Sequence, residues 1–522
     1  MEQFQCHSPR KNPEMFRTLT IAPRRLASRP IQTKSIARSF ETSEEALEFY
    51  DRNTQLAVGQ LEPVLSQIVY LQTTRKSDVD TLFKDERFTR LLLQTISDLE
   101  NCESSHLVRF AQAIARVSLP RGGSGEVTEL SRKIGEVASK RVNAFSPSDL
   151  ASLSFGLATR GYSDPEFVDF LRMETMKMVQ DFSPESAIMM LESFRRMNVF
   201  NREVVDNLVE RLTDEVDRFT SKDIVNCVTV FAKIGIGRGF LLRRLSRLSF
   251  ENLNLFSPPQ LVRLMSGFAK LRFLTTAGVD EILASLESAA LAKLSPALTA
   301  EALFAVAMSE YKGDSTVVNI LIESVAANLD SLSITNLIDV AWSISMLDET
   351  EQYRPLLLEV AAKVFAIPPP SNRQLLLKAL EVAAGLDAES VPAQWRSAMD
   401  DAEKFEMNRF ESARLHAEVL ALIEAIRPTG VITEKLALQR GAQAGGFRVD
   451  FFDEKQKICV DIDTLSRPTS LGLKHRLLSA QGLCPVRVGY WDIRRMKNFE
   501  EQQEWLRVLI SKAIRKQTSS SR

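Results

Sequence analysis

Cysteine and histidine are scarce in this 522-residue chain. There are five cysteines (Cys6, Cys102, Cys227, Cys459 and Cys484), far apart and with no Cys-x-x-Cys, and four histidines. Neither a disulfide framework nor a zinc site is indicated. No apolar run reaches the roughly 20 residues that a bilayer-spanning helix needs, and no membrane partner is expected. Net charge is also nearly absent, at −1, but the balance hides a segregation. Residues 1–40 hold eight Lys/Arg against two Asp/Glu, residues 440–522 hold sixteen against nine, and the chain between holds 42 against 56. An acidic middle argues against nonspecific polyanion binding, and it gives weight to local basic columns and to the basic C-terminal segment. What is plentiful is hydrophobic residue, 44%, ample for sizeable cores in a chain of about three domains.

From Met15 to Phe40 there is no acidic residue, while Arg17, Arg24, Arg25, Arg29, Lys34 and Arg38 recur among Ser, Thr, Phe, Leu and Ile. That composition reads as an organellar transit peptide over 1–40, removed in the mature protein, with the mitochondrion favoured over a plastid because arginine outweighs serine. A basic arm that binds nucleic acid is the alternative.

The chain is organised by a recurring phrase: Phe145-Ser146-Pro147, Phe182-Ser183-Pro184, Phe219-Thr220-Ser221, Phe256-Ser257-Pro258, Leu298-Thr299-Ala300 and Leu332-Ser333-Ile334, with a looser copy at Cys102-Glu103. The first three steps are 37 residues each and the next two are 42 and 34. A Ser or Thr followed by an acid such as Asp149, Glu185 or Asp223 marks a helix N-terminus. Apolar residues at steps of three and four follow, then a turn and a second amphipathic segment. Each unit is a helical hairpin that cannot bury its own apolar face, so neighbours must stack into an α-solenoid. The expected plan is a helical cap over 41–100, the repeat array over 101–370, a helical connector over 371–407 after Pro368-Pro369-Pro370, an α/β domain over 408–516 and a tail over 517–522.

Fourteen residues after each phrase begins, near the end of the first helix, stand Arg116, Thr159, Arg196, Lys233, Lys270, Lys312 and Met346. Five of the seven are basic. Cations there complement the negative end of the helix dipole. A ladder with one charge per repeat also suits a phosphate backbone, and five such contacts to a single strand imply a salt slope of about −3.5.

Beyond the array the period changes from helical to alternating. Phe447–Phe452 and Ile458–Asp463 read as a β-hairpin across Lys455-Gln456-Lys457. A basic helix around Lys474, a third strand over Pro485–Trp491 and a closing helix over Glu501–Ile514 complete a small α/β unit. In order, Val449-Asp450, Asp461-Ile462-Asp463, Leu473-Lys474-His475-Arg476-Leu477-Leu478, Gly482, Val486-Arg487-Val488 and Trp491 resemble the RAP domain, an RNA-binding domain of apicomplexan proteins that also ends FAST-kinase-like proteins. One departure is visible: where the family often continues Asp-Gly-Pro-x-His, Asp463 is followed by Thr464-Leu465-Ser466-Arg467. The hairpins upstream are similar to heptatricopeptide repeats.

The resemblance implies mitochondrial RNA work: processing of rRNA and transcripts, or the assembly and architecture of a mitochondrial ribosome. Organellar rRNA or single-stranded transcript, and mitochondrial ribosomal proteins, would be the partners. It also implies a restriction-endonuclease-like fold. A magnesium-dependent ribonuclease of that fold would use Asp450 and Asp461 as its carboxylate pair, with a lysine two residues beyond the second. That position is Asp463, and Lys474 is the nearest substitute. Binding without cleavage and without a cofactor is the favoured reading; a nuclease and a protein-only scaffold are the alternatives. RNA contacts in this domain are expected at Lys474, His475, Arg476, Arg487, Arg494, Arg495 and Lys497, with Tyr490 or Trp491 as a stacking platform. Residues 1–40 fused to a fluorescent protein are expected to carry it into mitochondria, and diffuse cytosolic signal would reject the transit peptide.

Overall fold

The computed structural model describes residues 40–520 apart from 54, 76–78, 121, 200, 287–292, 349–350, 387–389, 405–409, 427–438 and 466. The basic leader lies outside the described residues except for Phe40. Two compact units are present, residues 1–134 and 135–522.

The first unit contains α1 (Ser43–Arg52), α2 (Val58–Arg75), α3 (Val79–Lys84), α4 (Glu86–Asp98) and α5 (Ser104–Arg116). Thr42 and Asp85 accept backbone N–H groups at the starts of α1 and α4. Leu61, Ile68, Phe88, Leu91, Leu107 and Phe110 fill the interior. Helix α6 (Gly125–Ser139) follows.

In the second unit six hairpins follow one another: α7 (Pro147–Thr159) with α8 (Pro165–Lys177), α9 (Pro184–Arg196) with α10 (Arg202–Asp214), α11 (Ser221–Ile234) with α12 (Gly239–Phe250), α13 (Pro258–Lys270) with α14 (Thr276–Ser285), α15 (Pro296–Met308) with α16 (Ser315–Ala326), and α17 (Ile334–Leu347) with α18 (Arg354–Phe365). The first helices of successive hairpins touch as one row that α19 (Arg373–Ala383) extends. They come close: a β-carbon on Gly267 would stand 2.6 Å from a Val228 methyl. Helices α20 (Ala393–Lys404) and α21 (Phe410–Glu424) lead on.

The helix caps correct one register. They are Ser146, Ser183, Thr220, Ser257, Ser295 and Ser333, so the repeat steps are 37, 37, 37, 38 and 38 residues. The fifth unit therefore starts at Leu294-Ser295-Pro296, four residues before Leu298-Thr299-Ala300. Proline fits the first helical position because its missing N–H is one the helix could not bond there anyway. Lys312 thereby leaves the column of helix ends. Its place is taken by Met308, buried, while Lys312 is exposed in the turn beyond.

One device closes the first helix in five of the hairpins. A backbone N–H reaches five residues back, as from Tyr162, Val199, Ile236, Phe273 and Tyr311 to the carbonyls of Leu157, Phe194, Phe231, Phe268 and Val306. The residue before each is left-handed: Gly161, Asn198, Gly235, Arg272 and Glu310. Glycine and asparagine suit that conformation; arginine and glutamate adopt it at a cost of about 1–2 kcal/mol.

The C-terminal segment is a small mixed sheet with helices. Its strands are β1 (Gln439–Arg440), β2 (Gln443–Ala444), β3 (Phe447–Arg448), β4 (Phe451–Asp453), β5 (Ile458–Asp463) and β6 (Cys484–Gly489). The main sheet has the order β1-β4-β5-β6, antiparallel except for the parallel pair β5–β6, while β2 and β3 form a separate ribbon. Helix α22 (Gly472–Ala480) connects β5 to β6, and α23 (Tyr490–Arg495) and α24 (Phe499–Ser520) follow. The run expected as one strand over 447–452 is broken at Val449-Asp450, whose backbone bonds Ala442 and Gly441 instead of continuing the ladder. Trp491 lies in α23, past the end of the third strand.

Candidate nucleic-acid interface

The row of first helices carries a chain of charges. On α9, Glu192 accepts Arg195 at 2.7 Å and Arg196 at 2.8 Å, and Lys233 of the next repeat stands 3.8 Å away. Arg196 also lies over the Phe155 ring, 5.0 Å from its centre. Two repeats further, the ammoniums of Lys270 and Lys378 share the Phe304 ring at 5.5 and 4.1 Å, and Lys378 pairs with Asp339. Glu301 acts on both Lys233 and Lys270. Five cations thus share three carboxylates. Burial pushes Lys233 and Lys270 below the ordinary lysine value, with Lys378 adding to the effect at Lys270. Lys233 is exposed and Lys270 partly buried, so both ammoniums can meet an approaching phosphate oxygen. Arg116, in the first unit, is exposed and makes no hydrogen bond or ion pair to a described residue.

Two of the seven cations expected to contact RNA in the C-terminal segment, Arg476 and Arg487, join it to the repeats instead, as do Tyr490 and Trp491. Arg487 binds Asp463 at 3.0 Å and pairs with Glu310. Arg272, from the turn after α13, donates to the other Asp463 oxygen at 3.0 Å and to the Thr469 carbonyl. Arg476 donates to the Ser345 and Met346 carbonyls in the last turn of α17. Trp491 donates its indole N–H to the Leu271 carbonyl at 2.8 Å, with its ring edge-on to Phe273, and Tyr490 reaches the Gly237 carbonyl at 3.4 Å. Buried Glu381 of α19 accepts from Trp342 at 2.7 Å and from Thr469 at 2.8 Å. Burial raises its pKa against those two bonds. The last carbonyls of a helix have no partner within it and carry the negative end of the dipole, so guanidinium and indole donors suit them.

The three strand carboxylates are equally engaged. Asp450 takes His416 at 3.0 Å, the Ile462 N–H at 2.7 Å and Arg467 at 2.9 Å. Asp461, fully buried, takes Lys474 at 2.8 Å and His475 at 3.1 Å. Lys474 is itself buried, and its ammonium also donates to the Arg448 carbonyl at 2.7 Å. Burial alone would raise the Asp461 pKa; Lys474, His475 and Arg467 outweigh it and hold the carboxyl far below the usual range. Every oxygen of Asp450, Asp461 and Asp463 faces a donor belonging to the chain. A divalent cation would have to displace buried Lys474 and partly buried Arg467, so these residues do not fit a metal pair.

Three of the expected cations remain outside. Arg494 is half-exposed, over the Tyr490 ring and paired with Glu418 at 2.8 Å, while Arg495 and Lys497 are exposed with no side-chain bond to a described residue. Sequence reasoning missed Arg272, Glu310, Lys378, Glu381 and Arg467. A signal existed for two of them, since Arg272 and Glu310 stand where earlier repeats place Gly161, Asn198 and Gly235. A costly residue at a position that wants glycine points to work done elsewhere.

Residues 80–314 match the family model of the RNA-editing substrate-binding complex 6 protein. The match covers the helical repeats from α3 through α15 and none of the α/β segment. No curated protein matches the chain.

Replacing Arg272 by glycine sets two effects against each other. The turn relaxes by about 1–2 kcal/mol, while a buried ion pair worth about 3–5 kcal/mol to break is lost. Urea unfolding is expected to show a net loss of about 2 kcal/mol; a gain in stability would mean that the pair does not hold the segments together.

Proposed function

We propose that this protein is a mitochondrial RNA-binding helical-repeat subunit, holding a single-stranded transcript or rRNA within an organellar RNA-processing assembly. The carrying observation is the row of first helices, where Arg195, Arg196, Lys233, Lys270 and Lys378 outnumber Glu192, Glu301 and Asp339. Arg196, Lys233 and Lys270, spaced by one repeat of 37 residues, supply the backbone-tracking charge that sequence-independent strand binding needs. The match to an RNA-editing substrate-binding complex protein over the same helices supports an assembly as the setting. The acid-free, arginine-bearing leader agrees with the mitochondrion.

The C-terminal segment, on this reading a RAP-type domain, contributes a basic surface rather than a nuclease centre. Its carboxylates are saturated by Lys474, Arg467, Arg272 and Arg487. Work on rRNA and on the ribosome, as the RAP and heptatricopeptide resemblance implies, is one such assembly; editing or other transcript maturation is another. Both ask the same of this chain, a strand held along the repeats.

Fluorescence anisotropy with labelled single-stranded RNA tests the reading. Arg196→Glu combined with Lys233→Glu is expected to weaken binding at least tenfold and to flatten the salt slope by about 1.4, at −0.7 per phosphate contact. Circular dichroism should be unchanged. Wild-type protein that binds no RNA at low salt would overturn the proposal.

A further inference from the structure

Helix α12 carries a stripe that the row of first helices does not explain. Phe240, Arg243, Arg244 and Arg247 fall at positions i, i+3, i+4 and i+7, one helical face. Phe240 is 59% exposed. Arg244 is paired with Asp217 and Arg247 reaches Glu251 only at 4.0 Å, while exposed Arg243 makes no hydrogen bond or ion pair to a described residue.

Phe240 lines a groove of about 450 Å³ between α10 and the segment Gly237–Leu241, with Arg238, Glu210 and Thr213 on its walls. Arg238 is held in place by Asp206, whereas Glu210 is exposed and has no partner among the described residues. Gly239 opens the rim toward the C-terminal segment. The Trp491 ring and the Arg243 guanidinium lie 3.3 and 3.4 Å from where its side chain would begin. Exposed Arg495 is four residues after Trp491 on α23, on the same face.

From this arrangement we infer that the groove is a nucleobase subsite for single-stranded RNA. One base stacks on Phe240, its edge toward the Glu210 carboxylate, an acceptor for a base amino group, and the adjoining phosphates lie along Arg243 and Arg247. An exposed aromatic flush with a groove and flanked by arginines suits a single strand, because every base has a stackable face and every nucleotide a phosphate. The acid in the wall disfavours a phosphate inside the groove and favours a base there. Trp491 and Arg495 extend the strand's path onto the C-terminal segment. The inference rests on the RNA-binding reading and adds a second surface to it, on a second helix rather than on the row of first helices.

The test uses the full chain and a single-stranded RNA carrying 4-thiouridine. After irradiation and trypsin digestion, cross-links are expected on the peptide Gly239–Arg243. Phe240→Ala should weaken affinity about tenfold, the loss of one stacked base. Phe240→Trp should keep affinity, and Arg243→Glu should weaken it. Phe240 is exposed, so circular dichroism should be unaltered by its replacement. If wild type binds RNA but Phe240→Ala and Arg243→Glu bind as tightly and the peptide is not cross-linked, the subsite is overturned while the RNA-binding reading stands. The same result with a protein partner lost on Phe240→Ala assigns the groove to that partner and also overturns the subsite. If wild type binds no RNA, both fall together.

Discussion

A carboxylate almost without water, Asp463, connects the two kinds of structure in the second unit. It ends the central strand β5 and receives Arg272 from a repeat turn on one oxygen and Arg487 from β6 on the other. A buried guanidinium, Arg272, and a partly exposed one, Arg487, outweigh the desolvation that burial imposes on this carboxylate, and its pKa is lowered accordingly. The joint fixes where the sheet stands along the row of helices. Around it, Arg476, Trp491 and Tyr490 satisfy carbonyls at or just beyond helix ends. Strand and repeat are thereby held in one compact unit.

The chemistry that recognises a phosphate and the chemistry that recognises a helix C-terminus are the same chemistry: planar donors carrying positive charge meeting oxygens. That identity explains why a sequence can show a basic, aromatic α/β segment and yet spend much of it internally. Lys474, Arg476 and Arg487 are structural donors here, and Arg494 is shared with Glu418. Cations of the second unit that face outward include Lys233 on the row of first helices, Arg243 and Arg247 of α12, and Arg495 and Lys497. Binding specificity then depends less on the count of basic residues than on which of them the fold leaves underpaired.

Much of the architecture was legible in the sequence, because it is written in local physics. Ser and Thr caps, four of the six followed by proline at the first helical position, announce the first helices, and apolar steps of three and four announce the stripe each buries. The fifth unit was misread by four residues because Leu298-Thr299 imitates a cap, and that shift carried Lys312 into a column where Met308 belongs. Alternation revealed β5 and β6 but not the break at Val449-Asp450, which a side chain eleven residues away helps to hold. The joint was hidden because Arg272 and Asp463 are 191 positions apart, and neither periodicity nor composition reaches that far. Only the left-handed turn, carrying arginine where glycine is the easy choice, left a trace of it.

Asp463, then, places a basic, aromatic edge of the sheet beside α12, while the row of first helices supplies the underpaired lysines. On the proposed function, a single RNA strand engages these surfaces of the second unit. Hydrogen–deuterium exchange of the full chain, with and without single-stranded RNA, measures it most directly. Slower exchange is predicted in peptides from the ends of α9 and α11 and from α12 and α23 together. Unchanged exchange in all four while the RNA is bound, with protection appearing elsewhere, would contradict it.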